Sequence, residues 1–365
     1  MPSIREARVG LAVALLASIA AAAADQSPPK QRGVSWVGGR QAVSARDFDR
    51  LVGNGVQWIA QNPFGWVRAL DSPEILLRPD SGWWGETDAG LARTTALARE
   101  RGIRTLLRPH LFLAGPSGHG GWVGDIAMRN EEDWARWFHS YRQFILHYAR
   151  LAKRERIDLL CVGAELKSTT RGHEAAWRRL IGEVRAVYPG PLTYAANWDR
   201  EFEEIPFWDA LDYVGIQAYF PLAQAERPSL EVLKDGWRPH LAAIERVARR
   251  AGKPVIFTEI GYRSMPDTAI RPWEWGEPRS PEAATVDGLK AQADAYEAFF
   301  QMVWKADWLA GAYFWKWYPG LELRDVPPGR EFSPQNKPAE RVMATWFGGR
   351  PPEGRSGPDQ LTPRP

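Results

Sequence analysis

Short apolar runs alternate with longer amphipathic stretches along most of the chain after residue 30. Continuous apolar runs rich in β-branched and aromatic residues are typical of buried strands, especially where Gly, Pro, Asn or Asp bound them. Eight runs have this character. They cover residues 33–37, 56–62, 103–110, 159–165, 192–197, 213–219, 255–259 and 311–317.

Between these runs, apolar residues recur at intervals of three and four, which predicts helices with one buried face. In the stretch 131–154, for example, Trp137, Tyr141, Ile145 and Tyr148 share one face, with arginine and histidine between them. Such a stripe is more typical of core packing than of a binding surface. The predicted helices cover residues 45–51, 88–100, 131–154, 173–188, 202–211, 230–250, 289–305 and 339–346.

Eight strand–helix pairs favour an α/β fold of the (β/α)8 TIM-barrel type, which commonly forms a single domain of this size. The alternative, an open doubly wound sheet, is disfavoured because no glycine-rich dinucleotide or phosphate-binding loop follows any predicted strand. We predict one catalytic barrel over residues 25–348 and a disordered tail, rich in Pro, Gly and Arg, over residues 349–365.

The first residues differ from the rest of the chain. Arg5 and Arg8 precede an apolar, alanine-rich stretch that closes on an Ala-x-Ala pattern. This pattern predicts a signal peptide over residues 1–24 and export to the periplasm or the extracellular space. The alternative is an uncleaved membrane anchor, which is disfavoured because the stretch is short for a membrane-spanning helix.

Composition excludes several classes of function. The formal charge of +3 is spread over the chain, and nucleic-acid binding normally requires a concentrated basic patch. Six histidines occur without an H-x-H or H-E-x-x-H spacing, and no G-x-S-x-G elbow is present, so neither a metal site nor a serine nucleophile is predicted. Cys161 is the only cysteine, which excludes an internal disulfide. We expect a monomer without cofactor.

In a parallel barrel, reactive groups lie at the carboxyl ends of the strands. Two predicted strands end in glutamate, Glu165 in VGAEL and Glu259 in FTEIGY, and a carboxyl there is costly unless it is paired or functional. One alternative is a salt bridge to a strand-end base such as Arg108. The other strand ends carry Asn62, Arg108, His110, Asn197, Tyr219 and Trp315.

Strands four and seven stand nearly opposite each other in an eight-stranded ring, so Glu165 and Glu259 can face each other across the barrel mouth. Paired carboxyls about 5 Å apart can cleave a glycosidic bond with retention, one donating a proton to the leaving oxygen while the other attacks the anomeric carbon. Their mutual repulsion also separates their pKa values, which keeps one protonated near neutral pH.

The chain resembles clan A glycoside hydrolases and, within that clan, family 113, whose characterised members are β-mannanases. The motifs that carry the resemblance are RGVSW, RPHLFL, CVGAELKS, YAANWD, GIQAYFPL, PVIFTEIGYRS, GAYFWKWYP and FSPQNKPAERV. The resemblance implies that Glu165 is the acid/base and Glu259 the nucleophile. Many clan members have Asn directly before the acid/base, to bind the sugar 2-hydroxyl, but this chain has Ala164. Asn197 or His110 would then supply that bond, or this branch treats the 2-position differently.

The resemblance also implies roles for other residues. Tyr219 would donate a hydrogen bond to Glu259, and Arg108 would keep Glu259 ionised. Alternatively, Tyr219 is a buried residue bonded to the backbone and Arg108 forms a rim ion pair without catalytic effect. Trp315, with Trp36, would form an apolar platform under the sugar. The remaining residues predicted to bind substrate are Asn62, Trp84, His110 and Asn197.

Two loops, residues 82–86 and 273–276, contain further tryptophans that line a polymer cleft or, alternatively, clamp the loops to the barrel. The predicted function is retaining hydrolysis of a β-linked polysaccharide, with endo-β-1,4-mannan as the expected substrate. The alternatives are a glucan or amino-sugar glycosidase or transglycosylase using the same site, and a barrel that binds carbohydrate without cleaving it.

Overall fold

A computed structural model describes residues 29–114, 121–274, 284–320 and 329–350. Within these ranges, eight parallel strands close into a barrel, and each pairs with its neighbours in the chain, the first pairing with the eighth. In chain order the barrel strands are Gln31–Trp36, Trp58–Gln61, Arg104–Leu107, Leu159–Ala164, Leu192–Asn197, Tyr213–Gln217, Val255–Ile260 and Leu309–Trp317. We refer to them as barrel strands one to eight. The predicted (β/α)8 fold is confirmed.

Helices follow the barrel strands and cover the outside of the barrel. In the described residues they are Asp49–Gly53, Asp88–Glu100, Glu131–Glu155, Lys167–Thr170, Glu174–Val187, Glu201–Glu204, Leu230–Ala251, Val286–Met302 and Pro338–Trp346, with short 3-10 turns at Ala45–Phe48, Trp84–Glu86, Val123–Asp125 and Trp208–Ala210. Several begin with a side-chain cap, such as Asn130, whose oxygen accepts a hydrogen bond from the Asp133 amide.

Apolar side chains fill the barrel on both sides of its wall. A small cluster inside the barrel includes Trp58, Leu106, Cys161, Ile256 and Tyr313. A much larger cluster fills the space between the strands and the surrounding helices. Because alternate residues of a strand point to opposite faces, most of the strands contribute to both clusters, and the last inward-facing residue of a strand can carry a polar group at the mouth.

The predicted strand 103–110 is wrong in one respect, because it is two strands. Barrel strand three ends at Leu107, and a second strand, His110–Leu113, pairs outside the barrel with Phe64–Val67, which also pairs with Leu76–Leu77. Pro109 has no amide hydrogen to continue the barrel ladder, which accounts for the break. The resulting three-stranded sheet extends the wall above barrel strands two and three.

The predicted helix 202–211 is also wrong as a single helix. A single turn, Glu201–Glu204, is followed by the separate 3-10 turn Trp208–Ala210. Pro206 lies between them and would remove an amide donor from a continuous helix. The other predicted helices and strands lie within a few residues of the observed elements.

The barrel belongs to one compact unit that begins at Gln31. The predicted signal peptide, Trp275 and most of the predicted C-terminal tail lie outside the described residues. Among the residues that are described, no helix is both long and apolar enough to cross a bilayer.

Candidate active site

Glu165 and Glu259 lie at the carboxyl ends of barrel strands four and seven, as the sequence predicts. Strand register aligns them with the intervening strands: Ala164 pairs with Ala195, and Gln217 pairs with both Asn197 and Glu259. Asn197 and Glu259 therefore occupy the same rung on either side of barrel strand six. Glu165 is close enough to Glu259 for the charge of Glu259 to raise the pKa of Glu165.

Glu259 is bound by a cation and by a phenol. The guanidinium Nη2 of Arg108 forms an ion pair with Oε1 of Glu259, and the hydroxyl of Tyr219 donates to Oε2 over 2.6 Å. Both oxygens are thus occupied by donors that favour the ionised form. Each of the contacts expected for Arg108 and Tyr219 is present.

Arg108 is itself completely buried and braced from several strands. Its Nε donates to Oδ1 of Asn62 over 3.0 Å, Nη1 donates to the carbonyl oxygen of Thr258, and Nη2 lies 3.4 Å from Oγ of Ser35. Since these partners belong to three different strand ends, the guanidinium has one permitted orientation. Asn62 acts on the site through Arg108.

Glu165 has a different environment. Its backbone adopts a left-handed conformation with φ of 53°, and its amide donates to the Ala195 carbonyl oxygen over 2.9 Å. The amide Nδ2 of Asn197 donates to Oε1 over 2.6 Å, and the side chain of Trp122 also hydrogen-bonds to this carboxyl. Both donors are neutral, whereas Glu259 is bound directly by the cation of Arg108.

These environments separate the protonation behaviour of the two carboxyls. Burial, followed by the charge of Glu259, raises the pKa of Glu165 to about 7. Burial also raises the pKa of Glu259, but the charge of Arg108, the Tyr219 hydrogen bond and Lys316 oppose that rise. A contact cation stabilises a carboxylate more than neutral donors do, so Glu259 ionises first and Glu165 keeps its proton to higher pH.

Trp315 lies beside this pair. The guanidinium carbon of Arg108 is 6.0 Å from the Trp315 ring centroid, and the peptide bond from Trp315 to Lys316 is cis. Directly after barrel strand seven, a Cβ at Gly261 would come within 2.9 Å of the Trp315 carbonyl oxygen, so glycine permits this close approach. The ring is half-buried at the mouth, where a platform was predicted.

Two other predicted residues, Trp36 and His110, have surroundings that the sequence did not indicate. Trp36 is 2% exposed and stacks on Phe48 with ring centroids 4.7 Å apart, so the structure places it in the core instead of on the platform. His110 begins the outer three-stranded sheet, and burial together with the charge of Arg108 holds its pKa well below its usual value. The imidazole is therefore neutral.

Trp84 belongs to a loop that is clamped to the barrel. The Gly85 amide donates to the Gly39 carbonyl oxygen over 2.9 Å, and the loop packs against Gly38 so closely that a Cβ on Gly85 would lie 2.7 Å from the Gly38 Cα. Trp84 is half-buried, whereas its neighbour Trp83 is 45% exposed. The clamp that was predicted as an alternative is thus present in this loop.

Sequence reasoning missed several residues near the two carboxyls. Trp122 reaches Glu165 from a loop, and Lys316 acts on the pKa of Glu259 from barrel strand eight. Trp198, directly after Asn197, was also missed; it stacks at a centroid distance of 4.8 Å on Trp273 of the predicted loop 273–276, which is 39% exposed. The run of tryptophans beside polar residues was the available signal, but it did not reveal which rings meet. Among the described residues, no cluster of three His, Cys, Asp or Glu could hold a metal ion.

The family model described as Glycoside Hydrolase Family 113 matches residues 35–332. The chain belongs to glycoside hydrolase family 113. The resemblance seen in its motifs is confirmed, and the protein is a glycoside hydrolase whose substrate is a carbohydrate.

Solved structures agree with this assignment. The family 113 β-mannanase from Alicyclobacillus acidocaldarius, in complex with ManMIm, is 29% identical with a TM-score of 0.75, over 88% of this chain and 98% of that one. A second family 113 β-1,4-mannanase is 25% identical with a TM-score of 0.73, over 88% of this chain and 100% of that one.

More distant structures share the fold of this family 113 hydrolase. A β-glucuronidase from Ruminococcus gnavus is 12% identical with a TM-score of 0.57, over 88% of this chain and 50% of that one. At this identity only the barrel is shared. A comparison with curated proteins gives no match.

Proposed function

We propose that this family 113 hydrolase cleaves β-1,4-mannan within the polymer and with retention of configuration, using Glu165 as acid/base and Glu259 as nucleophile. The observation that carries the proposal is the contrast between the two carboxyls. Glu259 contacts Arg108 and Tyr219, whereas burial raises the pKa of Glu165 to about 7. Retaining cleavage needs one carboxylate and one carboxylic acid at the same bond. The names of the two similar family 113 structures support mannan as substrate.

In the first step, Glu165 donates its proton to the glycosidic oxygen while an oxygen of Glu259 attacks the anomeric carbon. The bond between that carbon and the glycosidic oxygen breaks, and a glycosyl ester of Glu259 forms. In the second step, the Glu165 carboxylate takes a proton from water, the water oxygen attacks the anomeric carbon, and the ester bond breaks. Two inversions give net retention, and both carboxyls return to their starting states.

Ala164 occupies the position at which many clan members have the asparagine that binds the sugar 2-hydroxyl. We propose that Asn197 binds the 2-hydroxyl instead. Its side-chain Nδ2, on the neighbouring strand, lies 2.6 Å from Oε1 of Glu165. The orientation of that amide is fixed, since its Oδ1 accepts from the Asp199 amide over 2.7 Å. His110 is neutral and can donate or accept toward another hydroxyl.

We further propose that the Trp198–Trp273 pair lies along the part of the cleft that holds the leaving portion of the polymer. Trp198 follows Asn197 directly, on the acid/base side of the site, and Trp273 exposes part of its ring. Pyranose rings have an apolar face that packs on aromatic rings. A polymeric substrate also agrees with the proposed export by the signal peptide, because mannan is encountered outside the cytoplasm.

The test of this proposal is product analysis on defined mannan oligosaccharides by proton NMR during the first minutes of reaction. We expect the β anomer of the new reducing end to appear first and to mutarotate slowly to the α anomer. Initial release of the α anomer would exclude double displacement. Cellulose and chitin oligosaccharides serve as comparison substrates, and faster cleavage of either would identify that glycan, instead of mannan, as the substrate. Binding of mannan without cleavage would support a non-catalytic barrel.

The pH dependence should report Glu165. We expect kcat/KM on mannan oligosaccharides to fall as pH rises above about 7, because Glu165 then loses the proton it must donate. The carboxyl has a raised pKa, so the active protonated form is present below that value and lost above it. The charged groups that act on this pKa are Glu259, which raises it, and Arg108, which lowers it.

The control for this profile is 2,4-dinitrophenyl β-mannobioside, whose leaving group departs without protonation. Its kcat/KM should lack the fall above about pH 7, because no general acid is needed. An equal loss of activity on both substrates would mean that another group causes the fall.

A further inference from the structure

Glu201 is a buried carboxyl that the proposed reaction does not use. It begins the single turn Glu201–Glu204, after barrel strand five, and is 1% exposed. Burial is the main cause that raises its pKa, and the hydrogen bonds that it accepts from the Asn197 backbone amide and the Tyr194 hydroxyl oppose that rise. A carboxyl in this position is costly unless it makes specific hydrogen bonds.

The first arm of the Glu201 network leads to Asn197. Oε2 of Glu201 accepts a hydrogen bond from the backbone amide nitrogen of Asn197 over 2.6 Å. The Asn197 side chain in turn donates to Oε1 of Glu165 over 2.6 Å. Glu201 therefore fixes the backbone of the residue whose side chain contacts the acid/base.

The second arm leads to the residue after the acid/base. Oε1 of Glu201 accepts from the Tyr194 hydroxyl over 2.7 Å, and the same hydroxyl accepts from the Leu166 amide over 2.7 Å. Leu166 directly follows Glu165, whose φ of 53° is uncommon for a side chain of this size. The two arms hold Glu165 from its side chain and from its backbone.

Other charged groups around Glu201 complete the network. Lys167 lowers the pKa of Glu201, and its Nζ donates to the Asp199 carbonyl oxygen over 2.8 Å. The backbone amide of Asp199 orients the side-chain amide of Asn197 by donating to its Oδ1 over 2.7 Å. The groups that face Glu201 are thus Tyr194, Glu165 and Lys167.

We propose that Glu201 is a positioning residue that holds the carboxyl of Glu165 in line with the glycosidic oxygen through Asn197 on one side and Tyr194 and Leu166 on the other. This inference rests on the proposed function, because it assigns Glu201 to the acid/base. Both Glu201 oxygens accept hydrogen bonds, and the two donors lead to either side of Glu165. Misplacement of a catalytic group by about 1 Å can lower the rate by about 100-fold.

The variant that tests this is Glu201→Gln, which keeps the shape but turns one acceptor into a donor. That donor must face either the backbone amide of Asn197 or the hydroxyl of Tyr194, so one arm of the network is lost. We expect kcat/KM on mannan oligosaccharides to fall by about tenfold or more, within the contribution of a general acid. On 2,4-dinitrophenyl β-mannobioside, kcat/KM should stay nearly unchanged, because departure of that group needs no proton.

Two further variants keep the test sharp. Tyr194→Phe removes only the hydroxyl that links Glu201 to Leu166, and should give the same substrate-dependent loss with a smaller amplitude. Glu204→Gln is the matched control, because Glu204 lies on the same turn but is exposed and pairs with Arg171. It should leave both substrates unaffected.

A purely structural role would lower the melting temperature and reduce kcat/KM on both substrates by the same factor. That result, or unchanged activity on both, would overturn the proposal. A crystal structure of Glu201→Gln gives a readout independent of activity. Displacement of Asn197 from Glu165 supports the inference even if the native protein proves inactive on every β-glycan, whereas an intact contact refutes it. The proposed function and the inference can therefore fail separately.

Discussion

Replacement of Glu259 by alanine is expected to lower kcat on mannan oligosaccharides by roughly 10⁴-fold or more, the scale on which loss of a nucleophile acts. Among the described residues of the site, no other carboxylate is paired with a buried arginine, so we expect no neighbour to take over the attack. The cavity left by the side chain would expose Arg108 to small anions. We therefore expect azide to restore turnover of 2,4-dinitrophenyl β-mannobioside and to yield the α-mannosyl azide, because azide attacks from the face that Glu259 occupied.

The azide product identifies the role of the residue as well as its importance. A β-azide from Glu259→Ala would contradict the assignment, since it would mean that the covalent intermediate still forms. Because the substitution leaves Arg108 buried without its counter-ion, thermal melting must accompany the assay. Glu204→Ala, an exposed glutamate replaced in the same way, should retain full activity.

For Glu165→Ala, the expected result depends on the leaving group. On mannan oligosaccharides, kcat/KM should fall by about 10²-fold to 10⁴-fold, because the poor leaving group departs without its proton. On 2,4-dinitrophenyl β-mannobioside, kcat/KM should change little, while kcat falls because water attacks the intermediate without a general base. Azide needs no base, so it should raise kcat and give the β-mannosyl azide.

Opposite azide anomers from the two variants would assign the acid/base and the nucleophile without reference to any other enzyme. If Glu165→Ala instead lowered kcat/KM equally on both substrates, the carboxyl would not be the proton donor. If it gave the α-azide, the two roles would be reversed.

The barrel and its two central carboxyls could be predicted from the sequence because both depend on local patterns. Apolar runs identify the strands, and a glutamate directly after such a run must lie at the barrel mouth once the fold is known. Arg108 and Tyr219 could be placed at the same rim, since Arg108 directly follows barrel strand three and Tyr219 lies two residues after barrel strand six.

The errors occurred where one residue redirects the backbone. Pro109 separates barrel strand three from His110–Leu113, although the apolar pattern continues across it. Pro206 separates two short turns that have the composition of one helix. In both places periodicity is a weaker constraint than the missing amide hydrogen.

The rest of the site could not be predicted because it depends on contacts between distant segments. Glu201 has the sequence context of an acidic residue at an exposed helix start, and only the packed structure shows that it is buried against Tyr194. Trp36 ends a strand as the platform residue should, yet it stacks on Phe48 in the core. Alternation along a strand was insufficient to determine which tryptophan lies at the barrel mouth.

The burial of Arg108 has a consequence for the lifetime of the proposed glycosyl–enzyme. In the resting site, the carboxylate of Glu259 is the counter-ion of this arginine. Esterification of Glu259 removes that negative charge, so the guanidinium remains enclosed beside a neutral ester. An enclosed cation without a counter-ion is unfavourable, and hydrolysis of the ester restores the ion pair. The same contact that keeps the nucleophile charged therefore disfavours accumulation of the intermediate, and each catalytic cycle is driven toward release of the sugar.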